Sequence, residues 1–132
     1  MTDALIGKQL NNFRIDRLLG YGGMAQVYYG MDVGLNRPVA IKVIDERWRQ
    51  DAPFTVRFIS EAQTIATWRH DNIIQVYYAG NEDDLYYFVM EYIDGGDLTE
   101  YMEARHTNDD LMPYDKVISI LQATASGLDY AH

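Results

Sequence analysis

A glycine cluster, Gly20 to Gly23, lies between two runs of strand-forming residues and restricts the folds open to this chain. Apolar and aromatic side chains favour a strand before the cluster and another after it. The dinucleotide-binding fingerprint would need the glycines to open a helix, and Ala25 occupies the position of its third glycine. The cluster therefore predicts a hairpin whose turn can cover phosphate groups, since glycines let a backbone approach phosphate oxygens closely. A glycine-rich turn without a ligand is the alternative.

A regular order of strands and helices surrounds this hairpin. The elements predicted before the glycine pair Gly95-Gly96 are three strands within 13–45, a helix from Asp51 to about Arg69, and a hairpin of Ile73 to Tyr78 and Leu85 to Tyr92 around a turn at Gly80 to Asp84. After the glycine pair, a short helix from Asp97 to about Arg105 and a longer one from Tyr114 to the end are predicted. The predicted fold class is α+β: a five-stranded antiparallel sheet with one packed helix, followed by two helices of a second unit.

Composition and charge argue against several kinds of partner, binding site and targeting segment. The 20 acidic residues outnumber the 11 basic ones and give a net charge of −9, which argues against a nucleic-acid surface. The absence of cysteine excludes a disulfide scaffold and a thiolate metal site, and no His, Asp and Glu set has metal-ligand spacing. No signal peptide and no run of roughly 18 apolar residues is present. We expect a cytoplasmic segment, and a membrane anchor elsewhere in a longer parent stays open.

Lys42 lies on the third predicted strand, in Val39-Ala40-Ile41-Lys42. Side chains alternate along a strand, so Ala40 and Lys42 share a face. A small residue beside a lysine, on a surface otherwise suited to an apolar ligand, is a combination that suits the binding of a nucleotide. An edge-strand lysine kept for solubility is the alternative.

Glu61 lies on the predicted helix, close to its large apolar residues. At about 100° per residue, four apolar side chains fall within roughly 60° of it. They are Phe54, Phe58, Ile65 and Trp68. We therefore expect the Glu61 carboxylate to lie in the buried stripe, where an unpaired charge is costly, and Lys42 is the best candidate for its partner. A helix edge that exposes Glu61 to solvent is the alternative.

The motifs, taken in order, resemble those of protein kinases, and most nearly those of bacterial serine/threonine kinases of the eukaryotic type. They are L-G-Y-G-G-M-A-Q-V-Y, V-A-I-K, R-F-I-S-E-A, H-D-N-I-I, V-M-E-Y-I-D-G-G-D-L and L-D-Y-A-H, spread from Phe13 to His132. The resemblance implies an N-terminal extension at 1–12, a kinase N-terminal lobe with its hinge at 13–94, and the start of the C-terminal lobe at 95–132. It also implies that the parent transfers the γ-phosphoryl group of ATP to protein Ser or Thr, with Mg²⁺ as cofactor.

The resemblance assigns roles to the matching positions. Lys42 matches the lysine on the α and β phosphates, and Glu61 matches the glutamate that holds it; these are the implied catalytic residues. The implied ATP-binding residues are the glycine-rich loop and its flanks (Leu19, Gly20, Tyr21, Gly22, Gly23, Met24, Ala25, Gln26, Val27), Ala40 and Lys42, the gatekeeper Met90, the hinge residues Glu91, Tyr92 and Ile93, and the ribose position Asp97. Asp97 can equally be a helix cap. His70-Asp71-Asn72 resembles the family's H-P-N turn and is interpreted as structural.

The family's catalytic loop, H-R-D-x-x-x-x-N, and its D-F-G magnesium motif are not in the sequence. We therefore expect a fragment of a longer kinase that binds nucleotide at most and does not transfer phosphate. A pseudokinase or regulatory nucleotide-binding module is the alternative. Because the helices after Gly95-Gly96 would lack their usual partners, we expect them to pair in a homo-oligomer.

Overall fold

The computed structural model describes residues 4–82, 84–95 and 114–131, and these form two compact units. One unit holds the described residues up to Arg69 together with Ile74–Tyr92. The other holds His70–Ile73 and the described residues after Tyr92. The helix predicted from Asp97 to Arg105 lies outside the described residues.

The first unit contains a six-stranded antiparallel sheet in the order β1-β2-β3-β4-β6-β5. Its strands are β1 (Gln9–Leu10), β2 (Phe13–Tyr21), β3 (Ala25–Asp32), β4 (Arg37–Ile44), β5 (Val76–Glu82) and β6 (Leu85–Glu91). The predicted meander and hairpin are confirmed. The count of five strands omitted β1, which pairs with the start of β2. Two residues are too few to produce an alternating pattern in the sequence.

The hairpin of β5 and β6 turns later than predicted. The sequence predicts a turn that includes Gly80, Asn81 and Glu82, but these residues belong to β5, and Glu82 pairs directly with Leu85. The connection is therefore very short, and Asp84 has a left-handed φ of 66°. Turn-prone residues in this segment are held in the ladder because Tyr86 and Tyr87 of β6 pair with them.

The hydrophobic core lies on one face of the sheet. Its buried side chains are Leu10, Phe13, Ile15, Tyr28, Val39, Ile41, Val43, Leu85, Tyr87 and Val89. Burial raises the pKa of the Tyr87 hydroxyl, so this side chain stays neutral in the core. Alternation along β4 places Ala40 and Lys42 on the opposite face, as predicted.

Helix α1 (Ala52–Ala66) packs against β5 and β6 on the Lys42 face. It begins where predicted, because the Asp51 carboxylate accepts a hydrogen bond from the Phe54 amide at 3.1 Å. It ends at Ala66, three residues before the predicted end. A single turn of 3₁₀ helix, Glu46–Trp48, fills the connection between β4 and α1.

The second unit contains helix α2 (Tyr114–Ala131), which confirms the long helix predicted there. His70 Nε2 lies 3.1 Å from the Ser126 hydroxyl, and the Asn72 amide donates to His70 Nδ1 at 3.0 Å. These bonds support the structural interpretation of the His70-Asp71-Asn72 turn. Within the described ranges, neither α1 nor α2 is long and apolar enough to cross a membrane.

Candidate functional site

Strand register fixes the position of Lys42 on the sheet. Lys42 pairs with Val27 of β3 on one side and with Phe88 of β6 on the other. Its Nζ lies 5.7 Å from the centre of the Phe88 ring, within the range of a cation–π contact. The amine therefore lies next to an aromatic surface.

A cleft of about 690 Å³ lies in the first unit, bordered by the glycine-rich loop, β4 and α1. This volume falls within the roughly 300–1,000 Å³ typical of small-molecule sites. The residues that line it are Gly20, Tyr21, Gly22, Gly23, Met24, Ala25, Val27, Lys42, Phe54, Arg57, Phe58 and Glu61. The loop, Lys42 and Glu61, which sequence resemblance assigns to the phosphate end of ATP, thus meet at one cleft.

Glu61 is exposed, so the prediction that it lies in the buried stripe of its helix is wrong. The buried residues of α1 are Thr55 and Ala62. At about 100° per residue, Glu61 points about 120° away from Thr55 and about 100° away from Ala62. The prediction centred the stripe on the aromatic side chains, whereas the face buried against the sheet is centred on these two small residues.

Lys42 and Glu61 do not pair in this arrangement. No ion pair joins them in the part of the chain that the structure describes, and the Lys42 amine faces Phe88 instead. The aromatic side chains Phe54 and Phe58, predicted to lie in the buried stripe, line the cleft together with Glu61. The helix face that carries Glu61 is therefore the face toward the cleft.

The glycine-rich loop is a tight turn tied to the connection that follows β4. The Gly22 amide donates to the Ala25 carbonyl at 2.9 Å, and the Asp45 amide donates to the Met24 carbonyl at 2.8 Å. Hydrogen bonds from the Arg47 backbone amide and then from its guanidinium group lower the pKa of the Asp45 carboxyl. Asp45 therefore contributes stability above its unfolded pKa, and this contribution is lost as the pH falls through the lower folded value.

Apart from Val27, the positions that resemblance assigns to adenine are not among the residues that line this cleft. Ala40 pairs with Met90 across β4 and β6. The Glu91 carboxylate accepts from the Gln75 amide at 2.8 Å, and the Glu91 amide donates to the Gln75 carbonyl at 2.9 Å. Among the described residues, the assigned positions of the first unit that do not line the cleft are Leu19, Gln26, Ala40, Met90, Glu91 and Tyr92. Ile93 belongs to the second unit, and Asp97 lies outside the described residues.

Sequence reasoning missed one residue that lines the cleft and two that contact the glycine-rich loop from outside it. Arg57 lines it, and its position four residues before Glu61 could have indicated the same helix face. Arg47 and Trp48 hydrogen-bond to the Gly23 carbonyl. No pattern in the sequence links them to a loop more than twenty residues earlier.

The chain matches the protein kinase domain family over residues 13–132. It is 41% identical over 129 residues to the serine/threonine-protein kinase PrkC of Bacillus subtilis (strain 168), covering 97% of this chain and 19% of that protein. It is 35% identical over 122 residues to the serine/threonine-protein kinase PknL of Mycobacterium tuberculosis (strain ATCC 25618 / H37Rv), covering 92% of this chain and 30% of that protein. The crystal structure of the M. tuberculosis PknI kinase domain matches 96% of this chain with a TM-score of 0.81 at 32% identity, and 49% of that chain is covered.

These matches confirm the resemblance seen in the motifs. The family match begins at Phe13, where β2 begins, and strands β2 to β6 and helix α1 lie within it. The chain spans a minor part of the length of PrkC and PknL and about half of the solved PknI domain. This chain therefore belongs to the protein kinase family, alongside bacterial serine/threonine kinases of the eukaryotic type.

Proposed function

We propose that this chain is the ATP-binding portion of a serine/threonine protein kinase. The observation that carries the proposal is the cleft at which Lys42 and the loop residues Gly20 to Ala25 meet. A glycine-rich backbone supplies amide donors to phosphate oxygens, and a lysine supplies the charge that the α and β phosphates need. The longer protein would transfer the γ-phosphoryl group to Ser or Thr of a protein substrate, and we propose that the portion described here acts in the cytoplasm, with or without a membrane anchor elsewhere in the longer protein.

The resemblance gives tasks to residues that line the cleft and to Ala40, which shares a face of β4 with Lys42. Lys42 binds the α and β phosphates, and the apolar surfaces of Val27 and Ala40 cover the adenine ring. In the first unit, the hinge backbone at Glu91 and Tyr92 binds the adenine edge. Mg²⁺, when bound, neutralises phosphate charge. We propose that its ligands come from the D-F-G segment of the longer protein.

Glu61 has to approach Lys42 before phosphoryl transfer, because kinases of this family need that ion pair in place. Both residues line the cleft, and Glu61 is on the helix face toward it. A shift or rotation of α1 would bring the carboxylate to the amine. The described arrangement then corresponds to a form that is not ready for catalysis.

A regulatory nucleotide-binding module without phosphotransfer is the second candidate function. The unpaired arrangement of Lys42 and Glu61 favours it. The two candidates differ in one measurable property, which is phosphorylation of a protein by the longer chain. A protein that includes the H-R-D and D-F-G segments and phosphorylates a generic Ser/Thr substrate supports the kinase. Nucleotide binding without transfer supports the module.

Nucleotide binding by the 132-residue chain tests the proposed site itself. We expect isothermal titration with MgATP to show weak binding, because this chain covers 49% of the solved PknI kinase domain and we propose that the floor of the adenine pocket lies in the other part of such a domain. Phosphorylation of added protein by this chain alone should be undetectable. Saturable binding that Lys42→Met abolishes supports the site, whereas equal binding by both proteins places the nucleotide elsewhere.

The gatekeeper assignment predicts a change in nucleotide selectivity. Met90 pairs with Ala40 and Val76 on the sheet, and Met90→Gly should open space beside the adenine ring. We expect the variant to accept ATP analogues with bulky N6 groups that the unchanged protein rejects, and to lose stability from reduced packing. Competition binding with N6-benzyl-ATP measures this. Unchanged discrimination would contradict the assignment.

Helix α2 predicts self-association of the 132-residue chain. Leu121 and Leu128 lie seven residues apart, so they share a helix face, and they are 59% and 57% exposed. We propose that this apolar face pairs with a second copy. Light scattering across a concentration series should show a dimer or larger species that Leu121→Lys dissociates. Leu35→Lys, at an exposed leucine of the first unit, is the matched control. A monodisperse monomer at high concentration would overturn the proposal.

A further inference from the structure

The tip of the glycine-rich loop is held from outside the cleft by two side chains. Arg47 Nη2 and Trp48 Nε1 both donate to the Gly23 carbonyl, at 3.0 Å and 3.2 Å. Both belong to the 3₁₀ turn between β4 and α1, and neither lines the cleft. A single loop carbonyl thus accepts two side-chain hydrogen bonds from one short segment, which we name the latch (Arg47 and Trp48).

Each donor of the latch is itself held in place. The Asp45 carboxylate accepts from both the backbone amide and the Nε of Arg47, each at 3.0 Å, which leaves Nη2 directed at Gly23. The Trp48 ring packs against Phe54 of α1, with ring centres 5.2 Å apart. The latch is therefore a preformed pair of donors and does not depend on two freely rotating side chains.

Peptide geometry connects the latch to the phosphate end of the cleft. The Gly23 carbonyl and the Met24 amide belong to one planar trans peptide, so they point in opposite directions. Holding the carbonyl on the latch directs the Met24 amide away from Arg47 and Trp48. The next peptide is fixed in the same way, because the Met24 carbonyl accepts from the Asp45 amide at 2.8 Å. Two consecutive loop amides, those of Met24 and Ala25, are therefore oriented before any ligand arrives.

Aromatic contacts continue from the latch to Lys42. The ring centres of Phe54 and Phe58 lie 6.4 Å apart, and those of Phe58 and Phe88 lie 5.0 Å apart. The Lys42 amine lies 5.7 Å from the Phe88 ring centre. Each aromatic contact contributes a modest stabilisation, and together the contacts connect Trp48 of the latch through α1 to Phe88 of β6. The latch hydrogen bonds connect Trp48 in turn to the loop. The placement of the loop tip is thus linked to the placement of the phosphate-binding lysine.

We propose that Arg47 and Trp48 are positioning residues that orient the amides of the glycine-rich loop and so raise the affinity of the cleft for a nucleoside triphosphate. The inference rests on the proposed nucleotide site. Preorganised donors bind more tightly because less conformational freedom is lost on binding. Loss of one latch hydrogen bond should therefore weaken nucleotide binding by about fivefold, the equivalent of a typical net hydrogen bond.

The test compares four variants of the 132-residue chain with the unchanged protein. Trp48→Phe keeps an aromatic ring against Phe54 and removes the donor, and Arg47→Met keeps the alkyl stem and removes the guanidinium. Arg47→Lys keeps a donor within reach. Trp68→Phe makes the same chemical change at the other of the two tryptophans, outside the cleft lining.

Two measurements are made on each protein: amide hydrogen exchange of peptides covering 20–27 without nucleotide, and titration with MgATP. Trp48→Phe and Arg47→Met should each speed loop exchange and raise the Kd for ATP, both by about fivefold. Arg47→Lys should have a loop exchange rate and a Kd for ATP nearer to those of the unchanged protein. Trp68→Phe should have the same exchange rate and Kd as the unchanged protein. The Arg47 side chain is 70% exposed, so its variants keep the test open if Trp48→Phe fails to fold.

The outcomes separate the inference from the proposed function. If Trp48→Phe and Arg47→Met leave loop exchange unchanged, the claim that the latch holds the loop is wrong. The same claim is wrong if Trp68→Phe speeds loop exchange as much as the latch variants do. Faster loop exchange with an unchanged Kd overturns the role of the latch in nucleotide affinity. If the unchanged protein does not bind ATP, the proposed function fails and the claim on affinity fails with it. Loop exchange then still decides whether the latch holds the loop.

Discussion

Replacing Lys42 with alanine is expected to lower kcat of the proposed longer kinase by about 10²- to 10³-fold or more, the loss typical of removing one preorganised group from transition-state charge. Lys42 is the cation on the sheet face that lines the cleft, beside the glycine-rich loop. Without Lys42, the negative charge on the phosphates in the transition state loses a cation that is already in position. Other groups or water would have to reorient to replace it, which raises the activation free energy. Single-turnover kinetics with saturating ATP separate this loss from weaker binding.

A second variant, Lys42→Met, decides whether the charge or the packing of Lys42 matters, and a third, Glu61→Ala, tests its proposed partner. Lys42→Met keeps a long apolar stem beside Phe88 and should be as inactive as the alanine variant. Glu61→Ala should also lower kcat, although its pairing with Lys42 depends on a shift of α1. The fold should persist in each variant, since neither residue belongs to the core. A rate equal to that of the unchanged protein in Lys42→Met would refute the phosphate-lysine assignment.

Replacing Gly30 with alanine is expected to destabilise the first unit by about 3 kcal/mol, at the upper end of overpacking costs. Gly30 lies in the middle of β3, where an added Cβ would overlap the Arg14 carbonyl oxygen of β2 and lie 2.8 Å from Ile41 Cδ1. The Ile41 side chain can adjust, but the Arg14 carbonyl is part of the backbone of a paired strand. Separation of β2 from β3 at this point would displace the core side chains that these strands carry, which are Phe13, Ile15 and Tyr28.

Denaturant unfolding followed by tryptophan fluorescence measures this effect, because both tryptophans belong to the first unit. A loss of this size corresponds to a fall in Tm of about 10 °C for a chain of this length. Gly20→Ala is the matched control, since nothing lies within 4 Å of a Cβ added there. If Gly30→Ala lowers the free energy of unfolding by no more than Gly20→Ala does, the close approach of β2 and β3 is not the reason that position 30 requires glycine.

Local signals were sufficient wherever a segment's own residues decide its structure. Asp51 caps α1 because its carboxylate needs only the amide three residues later. Alternation along β4 put Ala40 and Lys42 on one face, since a strand has no other way to distribute its side chains. The order of the motifs was enough to place the chain among protein kinases, and the family match confirms it.

Local signals failed where the result depends on two distant segments. Strand β1 has only two residues and exists because β2 offers it a partner. Turn-prone Gly80 and Asn81 extend β5 because β6 pairs with them. In both places tertiary pairing overrides a weak local preference.

The sequence by itself determined the strands of the meander, the start of α1, the family and the residue types available for phosphate binding. Only the tertiary structure decided which face of α1 is buried, and it chose Thr55 and Ala62, which leaves Glu61 exposed and apart from Lys42. It also brought Arg47 and Trp48 to the Gly23 carbonyl. The physical reason is that helix periodicity fixes only the angles between side chains, whereas the rotation of the helix on the sheet is set by the shapes of both surfaces.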